Sequence, residues 1–208
     1  MSDLNPPTSS GISRRTALRA LGAGAGAAAL LPWLSDEGLL AFSELQRRPA
    51  PPKPKVIPLA QFGTLEALVE AILPADERSP GARDARVAYY IDLLLSESDE
   101  PRRAQWLTGL TALDAEATSR FGVPFGKLDA ASTDTLMTAI SRNESAPVTP
   151  LETFFNITKQ ATIHGYYTSE IGIHKELRYK GNQMLVDFVG CQTVDGKDCP
   201  HCGQKAEI

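Results

Sequence analysis

The strongest constraint on the fold is the helical spacing of apolar residues between residues 59 and 167. Within this region apolar side chains recur every three or four residues, which is the period of a helix with one buried face. No stretch shows the convincing apolar–polar alternation of a β-strand. The sequence therefore predicts an all-α fold, a small bundle of about five helices followed by an irregular C-terminal segment. The stripes comprise Leu65, Leu68, Val69, Ile72 and Leu73; Val87, Tyr90, Ile91, Leu94 and Leu95; Trp106, Leu110, Leu113, Ala117 and Phe121; Leu136, Met137 and Ile140; and Phe154, Phe155, Thr158 and Ala161.

Residues typical of helix termini flank these stripes. Thr64 is a candidate cap for the first helix, which Pro74 would end. Pro101 suits the first turn of the third helix, and Gly122 suits its C-terminus. A fourth, shorter helix is expected from residue 132 to residue 143. The segment Thr149–Glu152 has the pattern of a capping box with proline at the first helical position, so a last long helix is expected from there to about residue 167.

The N-terminus has the pattern of an export signal. Ser13, Arg14, Arg15 and Leu18 match the twin-arginine motif, and an uncharged stretch rich in Ala, Gly and Leu follows from residue 20 to residue 34. We therefore assign residues 1–40 to a twin-arginine signal region, in which Arg14 and Arg15 carry the export role. This predicts a periplasmic protein that is exported by the twin-arginine translocase.

The end of the signal region is ambiguous in the sequence. Both Ala27–Ala29 and Leu39–Ala41 are imperfect small-residue cleavage sites, and an uncleaved signal that holds the chain at the membrane is an alternative. Residues 41–58 are assigned to a proline-rich linker, because five prolines between residues 49 and 58 favour an extended chain. A strap that lies on a partner is the other interpretation of this segment.

The composition excludes several classes of protein. A formal net charge of -4 argues against a nucleic-acid partner, since nucleic-acid-binding proteins usually carry a basic face.

No nucleophile elbow and no glycine-rich loop after a strand is present, so no catalytic residue and no cofactor site is assigned to this chain. His164, near the end of the last helix, is interpreted as a packing or capping residue. His174 lies in a charged stretch and is interpreted as solvated.

The C-terminal tail, residues 191–208, contains all three cysteines, Cys191, Cys199 and Cys202. A disulfide is the simplest outcome in an exported protein, and the odd count leaves one thiol free or bonded to another chain. A metal site that uses Cys191, Cys199, His201 and Cys202 is an alternative, as is a redox dithiol. The corresponding functional alternative is a free-standing exported metal-binding or thiol-redox protein.

Two irregular stretches suit a surface that packs against a partner, because they place aromatic residues and glycines together. The first comprises Ile72–Asp76 and Ser79–Ala82, followed by Val87 and Tyr90–Asp92. The second runs from His164 to Thr168, followed by Gly181, Asn182 and Gly190. The residues predicted to form this partner interface are Asp76, Tyr166, Tyr167, Gly181 and Asn182.

At these stretches the sequence resembles the gluconate 2-dehydrogenase subunit 3 family, over roughly residues 60–190. The elements that carry the resemblance are Ile72–Asp76, Ser79–Ala82, Val87 and Tyr90–Asp92 at its start, and Phe154–Phe155, Gly165–Tyr167 and Gly181–Asn182 near its end. The helical domain is accordingly assigned to residues 59–190.

The resemblance implies a non-catalytic small subunit of a periplasmic dehydrogenase. In this family the catalytic subunit is a flavoprotein of the glucose-methanol-choline type, which holds FAD and oxidises a sugar, a sugar acid or another alcohol. Electrons often pass on to a cytochrome c subunit. The large subunit commonly lacks its own signal, so the small subunit would help it to fold and would carry it through the twin-arginine translocase.

Overall fold

A computed structural model describes residues 34–179 and 181 of the chain. Within these residues the structure is all-α, as predicted, with six α-helices, a short 3-10 helix and a π-helical turn. The α-helices are α1 (Asp36–Arg47), α2 (Leu59–Ile72), α3 (Val87–Ser96), α4 (Glu100–Phe121), α5 (Ala130–Ser141) and α6 (Pro150–Tyr167); the 3-10 helix is Phe125–Lys127 and the π-helical turn is Gly172–Glu176. None of the described helices is long and apolar enough to cross a membrane.

The chain divides after Arg178 into two units, and of the second only Tyr179 and Gly181 are described. The core of the first unit is built around α3, in which eight of ten residues are buried. Helices α1, α2 and α6 pack against α3, and α4 packs against α2 and α6. Trp106 and Leu110 of α4 are fully buried in this core. The predicted stripes thus form one continuous apolar interior.

Most of the predicted helix termini are confirmed. Thr149 and Glu152 form the capping box that begins α6, with the Thr149 hydroxyl accepting from the Glu152 N–H at 3.2 Å. Gly122 ends α4 in the left-handed conformation, with φ of 79°. The predicted start of α2 is wrong, because α2 begins at Leu59, and Thr64 instead donates a hydrogen bond of 2.9 Å to Asp114 on α4.

An additional helix, α1, crosses the boundary that the sequence placed between the signal region and the linker. The Ser35 hydroxyl accepts the Gly38 N–H at 3.0 Å and so caps the helix. Phe42 and Leu45, three residues apart, face the core and are buried. The amphipathic spacing that defines the other helices is therefore present here too, over a single short stretch.

The proline-rich residues 48–58 form a strap that runs from α1 to α2. Its backbone N–H groups at Lys55, Val56 and Ile57 donate to the carboxylate of Asp92 on α3, at 2.6, 2.9 and 2.8 Å respectively. Asp92 is only 2% exposed. The strap is therefore bound to its own domain through the carboxylate of Asp92.

Candidate functional site

Asp76, the first of the predicted interface residues, folds the loop between α2 and α3. Its carboxylate accepts the backbone N–H groups of Arg78 and Ser79 at 2.7 and 2.8 Å. The Asp76 N–H in turn donates to the Ser79 carbonyl at 3.0 Å. These backbone donors hold the pKa of Asp76 below its ordinary value, since they stabilise the ionised carboxylate. The side chain is exposed, but the hydrogen bonds described for it stabilise the turn of this loop.

Tyr166 links the same loop to the end of α6. Its hydroxyl donates to the Pro80 carbonyl at 2.7 Å and lies 2.6 Å from the Ser79 hydroxyl. The side chain is 1% exposed, and this burial raises its pKa. Tyr166 therefore holds the loop from inside the domain, and in this fold it has no surface to offer a partner.

Tyr167 is the predicted interface residue that reaches the surface at this position. It is 39% exposed, and its ring packs edge-on against Tyr166 with centroids 5.4 Å apart. An open, charged cleft lies beside the loop and is lined by Arg78, Lys175, Glu176 and Arg178. We refer to residues 73–82, Tyr166, Tyr167 and residues 174–178 as the loop–helix corner. Leu177, 57% exposed, adds an apolar side chain to it.

The remaining predicted site residues fall elsewhere. Gly181, in the second unit, has a φ of 94°, a conformation that favours glycine. The other predicted site residues lie outside the described part of the chain, namely Arg14, Arg15, Asn182, Cys191, Cys199, His201 and Cys202. Among residues 34–179 and 181, no three His, Cys, Asp or Glu side chains are grouped so that they could hold a metal ion.

Sequence reasoning missed a hydrogen-bonded pair formed by buried Tyr90 of α3 and half-buried His164 of α6. The Tyr90 hydroxyl lies 2.5 Å from Nδ1 of His164 and accepts the backbone N–H of Leu34. Burial raises the pKa of Tyr90 to about 12 and lowers the pKa of His164. The Tyr90 ring also packs edge-on against Phe42, at 5.2 Å between centroids. The pair thus joins α1, α3 and α6, and 74 residues of sequence separate its members.

The lowered pKa of His164 predicts a pH dependence of stability. Below about pH 6.5 the unfolded chain takes up a proton at this histidine before the folded chain does, so stability should fall as the pH decreases. We expect the thermal unfolding midpoint to fall more between about pH 7.5 and 5.5 for the native chain than for His164→Gln. Glutamine keeps an acceptor for Tyr90 but does not titrate, and the carboxyl groups are common to both proteins. Equal changes in the two midpoints would contradict the lowered pKa of His164.

The family described as gluconate 2-dehydrogenase subunit 3 matches residues 60–184, a segment that contains α2 except Leu59, helices α3 to α6 and the whole loop–helix corner. No curated protein matches the chain, and no solved structure matches it. The family match covers well over half of the sequence, and it begins and ends close to the segment over which the motifs suggested the resemblance. The chain therefore belongs to the gluconate 2-dehydrogenase subunit 3 family.

Proposed function

We propose that this protein is the non-catalytic small subunit of a periplasmic, FAD-dependent dehydrogenase of the gluconate type. The observation that carries the proposal is the family match over residues 60–184, since the family is named for a subunit of a larger enzyme. The small subunit would bind the catalytic flavoprotein, assist its folding and accompany it through export. FAD would belong to the flavoprotein, and a cytochrome c subunit is a candidate acceptor for its electrons.

The export role is supported by the N-terminal sequence. Arg14 and Arg15 are followed by an uncharged stretch rich in Ala, Gly and Leu, the pattern of a twin-arginine signal. Because this route carries folded proteins, one signal can serve a preassembled complex. A small subunit that binds the folded flavoprotein in the cytoplasm would therefore supply the signal for both chains.

The loop–helix corner is the surface that we propose for binding the flavoprotein. It lies inside the segment that matches the family, and it combines exposed Tyr167 and Leu177 with the cationic side chains of Arg78, Lys175 and Arg178. Aromatic residues and arginine are enriched in protein interfaces. The internal bonds of Asp76 and Tyr166 would keep this surface in shape before the partner binds.

Substitution of Tyr167 tests this surface. We expect Tyr167→Ala to weaken binding of the flavoprotein by about tenfold or more, the effect of losing an aromatic side chain that is central to an interface. The matched control is Val148→Ala, a 76% exposed residue just before the opposite end of α6. Affinity can be measured by titrating the purified flavoprotein, with thermal unfolding as a check that both variants fold. Unchanged affinity in Tyr167→Ala would exclude this residue from the interface.

The export role is tested by the double substitution Arg14→Lys and Arg15→Lys. We expect the flavoprotein to stay in the cytoplasm and dehydrogenase activity in the periplasm to fall to background, because lysines keep the charge but not the motif. Arg19→Lys, outside the paired arginines, should leave export unchanged. The complex should still form in the cytoplasm with both variants. Normal periplasmic activity in the double variant would show that the arginine pair does not direct export.

A further inference from the structure

Residues 34–58, which we call the N-terminal arm, consist of α1, the two residues before it and the strap. Four apolar side chains of the arm are almost completely buried in the domain core. They are Leu34, Phe42, Leu45 and Ile57, which are between 1% and 6% exposed. Burial of side chains of this size contributes roughly 1.5–3 kcal/mol each. The arm lies before residue 60, where the family match begins, and so the match does not include it.

Hydrogen bonds hold the arm at its beginning. The backbone N–H and the hydroxyl of Ser35 donate to the Glu97 carboxylate at 2.9 and 2.8 Å, at the C-terminal end of α3. The Leu34 N–H donates to the buried Tyr90 hydroxyl. The first turn of α1 is therefore bound to α3 through both its backbone and its cap residue.

The middle of the arm is held at two further places. Gln46 donates to the Ala85 carbonyl at 3.1 Å and accepts the Glu170 N–H at 3.1 Å. The Arg86 guanidinium donates to the carbonyls of Leu45 and Arg48. Together with the three bonds from the strap to Asp92, these contacts extend along the whole arm and reach α3, the residues just before it and the residues after α6.

We propose that the N-terminal arm is a permanent part of the mature subunit and that any removal of the export signal occurs on the N-terminal side of Leu34. This inference rests on the proposed export of the chain. A signal peptidase hydrolyses one peptide bond, so that water supplies the hydroxyl of the new carboxylate and a proton to the new amino group. The position of that bond decides whether the arm keeps its contacts.

Of the two small-residue sequences, Leu39–Ala41 lies within α1 and is unsuited to cleavage. Proteases act preferentially on exposed, irregular segments, whereas the Leu39 N–H is already bonded to the Ser35 carbonyl at 2.9 Å in the helix. Cleavage after Ala41 would remove Leu34 and Ser35 together with their bonds. It would also place a charged amino group on Phe42, which is 1% exposed, and an unpaired buried charge is costly. Ala27–Ala29, outside the described residues, is the alternative that leaves the arm intact.

Hydrogen–deuterium exchange of the full chain tests whether the arm is part of the fold. We expect the amides of Lys55, Val56 and Ile57 to exchange slowly, on the timescale of α3. In Asp92→Asn, which loses part of the acceptor, their exchange should become at least about tenfold faster, whereas in the control Asp84→Asn, at an exposed position, it should not change. Rapid exchange of the arm in the native chain would overturn the proposal.

The intact mass of the exported subunit tests the processing position. Coexpressed with its flavoprotein and recovered from the periplasm, the chain should begin at or before Leu34. A chain that begins at any residue after Leu34 would overturn the proposal even if export is normal. A chain that is never found outside the cytoplasm would contradict the proposed export, and the exchange experiment on the cytoplasmic protein would still decide whether the arm belongs to the fold.

Discussion

Replacing Asp92 by alanine is expected to lower the free energy of unfolding by about 3 kcal/mol, because three backbone N–H groups lose their acceptor at once. The carboxylate is 2% exposed and binds the strap at Lys55, Val56 and Ile57. Each donor left unsatisfied in a buried place costs about 1–3 kcal/mol, although release of the strap into water would limit the total. The strap is then expected to detach, so that Ile57 also loses its burial.

Urea unfolding measures this effect, with two matched controls. Asp92→Asn keeps one carbonyl oxygen in the same place and should be destabilised by a smaller amount. Asp84→Asn removes a charge at an exposed position and should change the free energy of unfolding by less than about 0.5 kcal/mol. If Asp92→Ala were as stable as the native chain, the strap would not be held in the way that the hydrogen bonds indicate.

Replacing Gly109 by alanine should also destabilise the fold, by about 2 kcal/mol, since an added methyl group has no room where α4 crosses α6. A Cβ atom at Gly109 would overlap the ring of Phe154. That ring is itself packed edge-on against the fully buried Trp106, with centroids 5.5 Å apart, and cannot move aside without disturbing the core. The predicted loss exceeds the roughly 1 kcal/mol that alanine gains over glycine in a helix.

Gly63 provides the control for this substitution, because it lies within α2 and a Cβ atom there would meet nothing within 4 Å. Gly63→Ala should therefore raise the free energy of unfolding by up to about 1 kcal/mol through helix propensity alone. The two variants make the same chemical change in two helices, and their effects should have opposite signs. Equal stabilisation by both would show that α4 and α6 are not in close contact at Gly109.

The sequence predicted the structure best where a structural feature depends on neighbouring residues. We could recognise the apolar stripes of α3 and α4, the capping box at Thr149 and the terminating Gly122 in the sequence. Each of these features depends only on residues that lie a few positions apart. The family could be recognised for a similar reason, since its motifs are short and occur in a fixed order. These features are sufficient to predict an all-α domain and the approximate bounds of most of its helices.

Interactions between distant segments were not visible in the sequence. Asp92 belongs to one of the short motifs of the family, but nothing local showed that a proline-rich strap 35 to 37 residues earlier supplies its hydrogen-bond donors. The bond between Tyr90 and His164 spans 74 residues and was missed for the same reason. Helix α1 was missed because the predicted boundary after residue 40 divided it between signal and linker, and because its apolar stripe is limited to Phe42 and Leu45.

The structure shows that some residues of the predicted partner interface are buried and that others are exposed. The same irregular pattern of aromatics and glycines describes Tyr166, which is buried and bonded to Ser79 and Pro80, and Tyr167, which is exposed beside it. Adjacent residues near the end of a helix point in different directions, and only the packing of the loop decides which of them faces solvent. Substitution of Tyr167 is therefore the test of the loop–helix corner as a binding surface.

The central claim is that this chain is the small subunit that a catalytic flavoprotein needs for assembly and export. It is tested most directly by coexpressing the flavoprotein with and without the full chain, and by measuring FAD-dependent dehydrogenase activity in periplasmic and cytoplasmic fractions. We predict periplasmic activity when the chain is present, with both proteins purifying together through a tag on the small subunit, and no periplasmic activity when it is absent. A flavoprotein that reaches the periplasm fully active without this chain would contradict the account.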